Sequence, residues 1–166
     1  HGVQLPNIQT AEDAQMFVQY AKYPPMGVRG FSPYTKAGLY DVNNAKTMPE
    51  IANNNTLLIA NVEDEIGLKN LDSIAKTDGI DVVFIGLFDL SKSLGIPGDI
   101  SNEKVMNKLD EAVKIIHDNN KKVGSIASTP EMLSILKDKK LDYVTYSVDS
   151  GMVQNAYKKI INKFEQ

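Results

Sequence analysis

The sequence predicts an α/β fold built on a parallel sheet, and three observations carry that prediction. Short apolar runs alternate with stretches of helical period along all 166 residues. The runs are apolar almost throughout rather than alternating, as expected of strands covered on both faces. Most of the intervening helices open on a recognisable capping residue. The resulting order, five times strand then helix at roughly 33 residues per unit, implies right-handed crossovers between parallel neighbours.

The first strand is expected over residues 2–8. Thr10 then caps a helix with Glu12 and Asp13 in its first turn, where acids suit the positive end of the helix. Ala14, Phe17, Val18 and Ala21 follow at helical spacing, and Tyr23-Pro24-Pro25 stops the helix. Residues 26–55 read as an irregular segment rich in Gly, Pro and Asn, with a short helix near residues 49–52. A loop this long in a compact domain usually has a function. Residues 56–62 (TLLIANV) form the second strand. Asp64 caps the next helix, whose expected apolar face is Ile66, Leu68, Leu71, Ile74 and Ala75.

The third strand covers residues 81–86 (DVVFIG), followed by a loop over 87–98 holding at most one helical turn. Ser101 is the expected cap of a helix carrying Val105, Leu109, Ala112, Val113, Ile115 and Ile116. A fourth strand spans 122–127, and Thr129-Pro130 is a cap with Pro in the first helical position. The last strand is expected over 141–148 and the last helix over 150–164. No second domain, low-complexity segment or linker is evident in residues 1–166. The pattern is compatible with a five-stranded doubly wound sheet or with part of a (β/α)8 barrel.

Composition narrows the function. The chain is 42% hydrophobic and 23% charged, with a net charge of −3 and acids and bases interleaved, which argues against nucleic acid as a partner. It has no cysteine, so disulfides, thiolate zinc sites and cysteine nucleophiles are excluded. No apolar run reaches membrane-span length and no secretion signal opens the sequence, so the expected compartment is the cytoplasm. Arg29 is the single arginine among 18 basic residues. The start at His1-Gly2-Val3, inside a strand, suggests a piece of something longer.

Both candidate folds bind ligands beyond the carboxyl ends of their strands. Polar residues there include Asn7, Gln9 and Thr10; Asn61, Glu63 and Asp64; Gly86 and Asp89; Ser128 and Thr129; Asp149 and Ser150. Glu63 and Asp89 follow consecutive strands. Adjacent strands lie about 4.8 Å apart, so two such carboxylates can share one hard cation, Mg²⁺ or Mn²⁺. Helix or turn capping is the alternative role for each. The turn 86–91 (GLFDLS) could present backbone N–H groups to a carboxylate or phosphate. It is neither a Walker A loop nor a dinucleotide fingerprint. His117 reads as a solvent-facing residue near a helix end.

Several segments together resemble the HpcH/HpaI aldolase/citrate lyase family, the metal-dependent class II pyruvate aldolases. They are residues 61–67 (NVEDEIG), 70–72 (NLD) and 84–95 (FIGLFDLSKSLG). Upstream, Leu5-Pro6, Thr10-Ala11-Glu12 and residues 23–30 (YPPMGVRG) join them; downstream, Gly124 and residues 148–151 (VDSG). The resemblance spans essentially the whole chain. It implies a (β/α)8 TIM barrel of which the chain is about five units, strands 4 to 8. It implies Glu63 and Asp89 as ligands of a divalent metal, Mg²⁺ or Mn²⁺. Gly86, Phe88 and Asp89 are then the turn that binds a 2-keto acid through backbone amides. The implied reaction is cleavage or formation of 4-hydroxy-2-keto acids through a pyruvate enolate, with an aldehyde as second product or substrate. The family's catalytic base and substrate-orienting Arg are then expected upstream of residue 1, leaving this chain alone nearly inactive. Leu87 stands where many members have Pro. A citrate-lyase-like or malyl-CoA-type lyase, and a catalytically inactive α/β binding domain, are the alternatives. A flavodoxin-like receiver lacks support, because no acidic cluster follows the first strand. Exposed edge strands around Val3, Leu5, Val144 and Tyr146 point to a homo-oligomer.

Overall fold

A computed structural model describes residues 1–165. Five strands, β1 (Gly2–Leu5), β2 (Leu57–Val62), β3 (Val82–Ile85), β4 (Lys122–Ala127) and β5 (Tyr143–Tyr146), form one sheet. Its order is β1-β2-β3-β4-β5, every neighbouring pair parallel. A doubly wound sheet reverses its strand order partway; this one does not, and the chain steps sideways one strand at a time.

The helices are α1 (Ala11–Ala21), α2 (Met48–Asn55), α3 (Glu65–Lys69), α4 (Leu71–Ala75), α5 (Leu87–Ser93), α6 (Glu103–Asp118), α7 (Pro130–Asp138) and α8 (Asp149–Phe164). Of these, α1, α4, α5, α6 and α7 pack on one face of the sheet. Alternate strand residues Leu58, Ala60, Val62, Val83, Ile85, Val123 and Ala127 enter the main core with Phe17, Leu71, Ile74, Leu109, Ile116 and Leu136. The other set faces the opposite side, where Ile59, Val82 and Phe84 pack with Ile126 and Tyr143 in a separate cluster. The result is a parallel half-barrel with a helical outer layer and a side-chain-lined inner face.

Several elements depart from the sequence expectation. β1 stops at Leu5, and all four of its residues are exposed at the sheet edge. Pro6 has no N–H, and Asn7 adopts a left-handed backbone with φ 58°. The chain rejoins the sheet at buried Ile8, whose N–H donates to Asn61 O at 2.9 Å. Thr10 caps α1 as expected, in a full capping box with Asp13. The long segment after it contains α2, longer than expected, and two 3₁₀ turns, Lys36–Gly38 and Val42–Asn44. Its two ends are pinned together by buried Lys22, whose Nζ donates to Asn53 O (2.7 Å) and Thr56 O (2.6 Å). The Asn53 side chain makes two hydrogen bonds to the Tyr23 backbone: Oδ1 accepts the Tyr23 N–H at 2.7 Å and Nδ2 donates to Tyr23 O at 2.9 Å.

The helix after β2 breaks at Asn70, whose side chain donates to Gln9 O. The break interrupts the 3.6-residue period, so Ile66 is exposed rather than on the apolar face. Residues 87–93 are a helix, not a loop, because Leu87 and Leu90 anchor it in the core with no exposure. Asn102, not Ser101, caps α6 through Lys104 N. β5 is shorter than expected at both ends, bounded by the positive φ of Lys140 and Ser147. His117 is half-buried rather than free in solvent, with Nε2 2.9 Å from Asp142 Oδ2. α8 has no buried residue. Among the described residues no helix is long and apolar enough to cross a membrane.

Candidate active site

Glu63 follows the last residue of β2 and has the same strand parity as Ile59 and Asn61, which puts it at the rim of the inner face. Gly86 follows the last residue of the neighbouring β3, and its N–H donates to Val62 O at 3.0 Å. α5 starts directly after it, so Asp89 lies in the first turn of that helix. Register therefore brings the two carboxylates to one rim. They line a common cavity of about 280 Å³ with Asn7, Asp64, Lys92 and Ser93.

Their surroundings differ. Glu63 is half-buried; Asp89 is exposed and forms an i,i+3 pair with Lys92 at 3.5 Å. Glu63 Oε1 accepts the Asn7 N–H at 2.9 Å. Burial raises the Glu63 carboxyl above the ordinary carboxylate range, the Asn7 N–H opposes this, and the Asp89 charge adds to the rise. Asn61 and Asp64 contribute smaller effects, downward and upward respectively. Asp64 is committed elsewhere: Oδ1 accepts the Gly67 N–H and caps α3, and Oδ2 accepts from the Gln9 side chain. Its capping role is thus the one read from the sequence.

The donor set is all oxygen: Glu63 and Asp89, with no His or Cys in the cavity lining. Among the described residues no group of three or more His, Cys, Asp or Glu could hold a metal ion. Two carboxylates at an open rim suit a hard, six-coordinate cation that keeps places for water and substrate. A double positive charge there would also offset the mutual repulsion of Glu63 and Asp89.

Gly86, Phe88 and Asp89 lie at the start of α5, where first-turn N–H groups have no intrahelical acceptor. Phe88 is exposed, whereas Leu87 turns into the core and cannot shape the cavity. Ser128, Thr129, Asp149 and Ser150 are absent from the cavity lining, and Thr129 caps α7. Two contacts at the candidate site carry little or no signal in the sequence. The Asp89–Lys92 spacing signals their pairing; the Asn7 N–H contact has no sequence signal, because it depends on one backbone angle.

The family model for HpcH/HpaI aldolase/citrate lyase matches residues 1–156. A hydroxypyruvate/pyruvate aldolase of Roseobacter denitrificans is 34% identical over 98% of this chain and 63% of its own length. A 2-keto-3-deoxy-L-rhamnonate aldolase of Klebsiella pneumoniae is 32% identical over 97% of this chain and 60% of its own. The chain thus spans less than two thirds of these relatives. The solved HpcH/HpaI aldolase of Desulfitobacterium hafniense superposes with a TM-score of 0.90 at 25% identity, covering 99% of this chain and 64% of that one. With a family model matched over nearly its whole length, the chain belongs to the HpcH/HpaI aldolase/citrate lyase family.

Proposed function

We propose that this chain supplies the cation- and keto-acid-binding part of a metal-dependent pyruvate-type aldolase. The carrying observation is the convergence of Glu63 and Asp89, which follow the adjacent strands β2 and β3, on one cavity at the carboxyl rim. Glu63 and Asp89 would hold Mg²⁺ or Mn²⁺. When bound, that ion supplies Lewis-acid polarisation of a 2-keto acid's ketone and stabilises the charge that builds on its oxygen. The N–H groups near Phe88 and Asp89, beside Gly86, orient the substrate carboxylate. The substrates are 4-hydroxy-2-keto acids, cleaved to pyruvate and an aldehyde. The relatives' greater length leaves room for further βα units of a (β/α)8 barrel. The general base and an orienting Arg come from those units, so residues 1–166 alone turn over little substrate; a positioned acid/base typically contributes about 10²–10⁴-fold.

Metal titration by calorimetry tests the site. Glu63→Gln and Asp89→Asn should each lose Mg²⁺ or Mn²⁺ binding. Unchanged affinity in either variant removes that residue from the site. In a protein with all its units, chelation by EDTA should abolish pyruvate release.

A further inference from the structure

Glu63 is constrained on both of its oxygens' sides by backbone rather than by partner side chains alone. On one side, the Asn7 N–H reaches Oε1 at 2.9 Å. That N–H points at Glu63 because Asn7 has φ 58°, a left-handed conformation that Asn and Gly adopt readily and β-branched residues do not. Pro6 before it and the Ile8 bond to Asn61 O behind it fix the ends of the excursion. On the other side lies Gly86. A Cβ built there would stand 2.8 Å from Glu63 Cβ and 2.9 Å from Oε2. The volume a side chain would occupy at position 86 is therefore the volume that Glu63 fills. Gly86 needs no special backbone angle, with φ −81°, so the reason for glycine is this clearance.

We infer that Asn7 and Gly86 are positioning residues for Glu63: the Asn7 amide holds Oε1, Gly86 clears the place of Oε2, and Glu63 offers a cation that single oxygen. This rests on the reading that Glu63 and Asp89 bind a divalent cation. It adds that the half-buried ligand is preset by main chain from two other strand ends. It also leaves more of the cation's coordination sphere to water and a chelating keto acid than a bidentate carboxylate would.

Mn²⁺ binding to the chain, followed by the electron paramagnetic resonance of the free ion, tests it with five variants. Gly86→Ala should weaken Mn²⁺ binding by about tenfold or more, the usual effect of losing a group that orients a ligand. Asn7→Val should do the same, because valine resists the left-handed backbone and turns the N–H away. Asn7→Gly keeps that backbone and should bind like the wild type. Asn120→Val is the control: Asn120 has φ 57° on the opposite rim, so valine there should lower the melting temperature without changing Mn²⁺ affinity. Glu63→Gln separates the cation site from the positioning of its ligand. If Glu63→Gln binds Mn²⁺ normally, the cation site itself is wrong. If Glu63→Gln loses binding while Gly86→Ala and Asn7→Val retain it, the site stands and the positioning role falls. Equal losses in Asn7→Gly and Asn7→Val would assign the effect to the Asn7 side chain and overturn the amide role. Should Asn7→Val fail to fold, Gly86→Ala and Asn7→Gly still decide.

Discussion

Replacing Lys22 with methionine should loosen the long segment between α1 and β2. Lys22 is 4% exposed, and its ammonium has two backbone carbonyls as partners at 2.7 and 2.6 Å. One of them, Asn53 O, lies in the last turn of α2, where carbonyls lack intrahelical donors and a cation is favoured. Each hydrogen bond to a charged group contributes about 1.5–3 kcal/mol. Taking an ammonium out of water works against that gain, and methionine avoids this cost while filling most of the volume. The net loss for Lys22→Met should therefore be about 2 kcal/mol, less than the two bonds together. For a chain of this size that lowers the melting temperature by roughly 4–8 °C. Lys22→Ala adds a cavity and should cost more. Calorimetric melts give the global number. Limited proteolysis should show earlier cleavage within residues 26–47, since the clamp closes the base of that segment. A methionine variant with the wild-type melting temperature and cleavage pattern would show instead that the ammonium is tolerated rather than stabilising.

Other outcomes follow from the same structure. Lys92→Ala should raise Mn²⁺ affinity slightly, because an exposed ammonium 3.5 Å from Asp89 competes with the cation; exposed pairs are worth about 0.2–1 kcal/mol, so titration should show less than about a fivefold gain. Asp142 is partly buried, which raises its carboxyl, but Lys122, His117 and the Val123 N–H outweigh this and hold it at about 2, against 3.8 for a free side chain. A carboxyl depressed in the folded state stabilises above its unfolded value and loses that contribution as pH falls from about 4 to about 2. Asp142→Asn should flatten the acid limb of stability in that window, read from denaturant melts at several pH values. Tyr157, Ile160, Ile161 and Phe164 are exposed along α8, which has no buried residue, so light scattering should detect self-association. Tyr157→Glu with Ile160→Glu should abolish it.

The alternation of elements was legible because buried parallel strands leave an apolar signature, clearest in β3, and because Thr10, Asp64 and Thr129 are strong caps. Boundaries failed where one backbone angle or one tertiary contact decides them. Pro6-Asn7 ends β1 early, Asn70 splits α3 from α4 by bonding to Gln9, and Leu87 pulls a supposed loop into the core. Of the site, Glu63 and Asp89 were readable as polar residues after consecutive strands. That Glu63 leans over Gly86 toward Asn7 was not, since contacts 23 and 56 residues apart in sequence depend on register. Lys22 gave no signal either; its neighbours in sequence make it look like any other lysine at a helix end.

The lateral order of the five strands has a kinetic consequence. Within residues 1–165 each strand touches only the strands next to it in sequence, much as repeats do in a solenoid, so in this chain by itself opening can proceed inward from either side without unfolding the middle. Amide exchange should then be slowest in β3 and fastest in β1 and β5. The candidate site straddles that gradient: Gly86 and Asp89 adjoin the slowest strand, while Asn7 hangs from an outermost one, held by its links to Glu63 and by Ile8 on Asn61. A ligand bridging the rim would act as a latch on the fraying edge, slowing exchange at β1 far more than at β3.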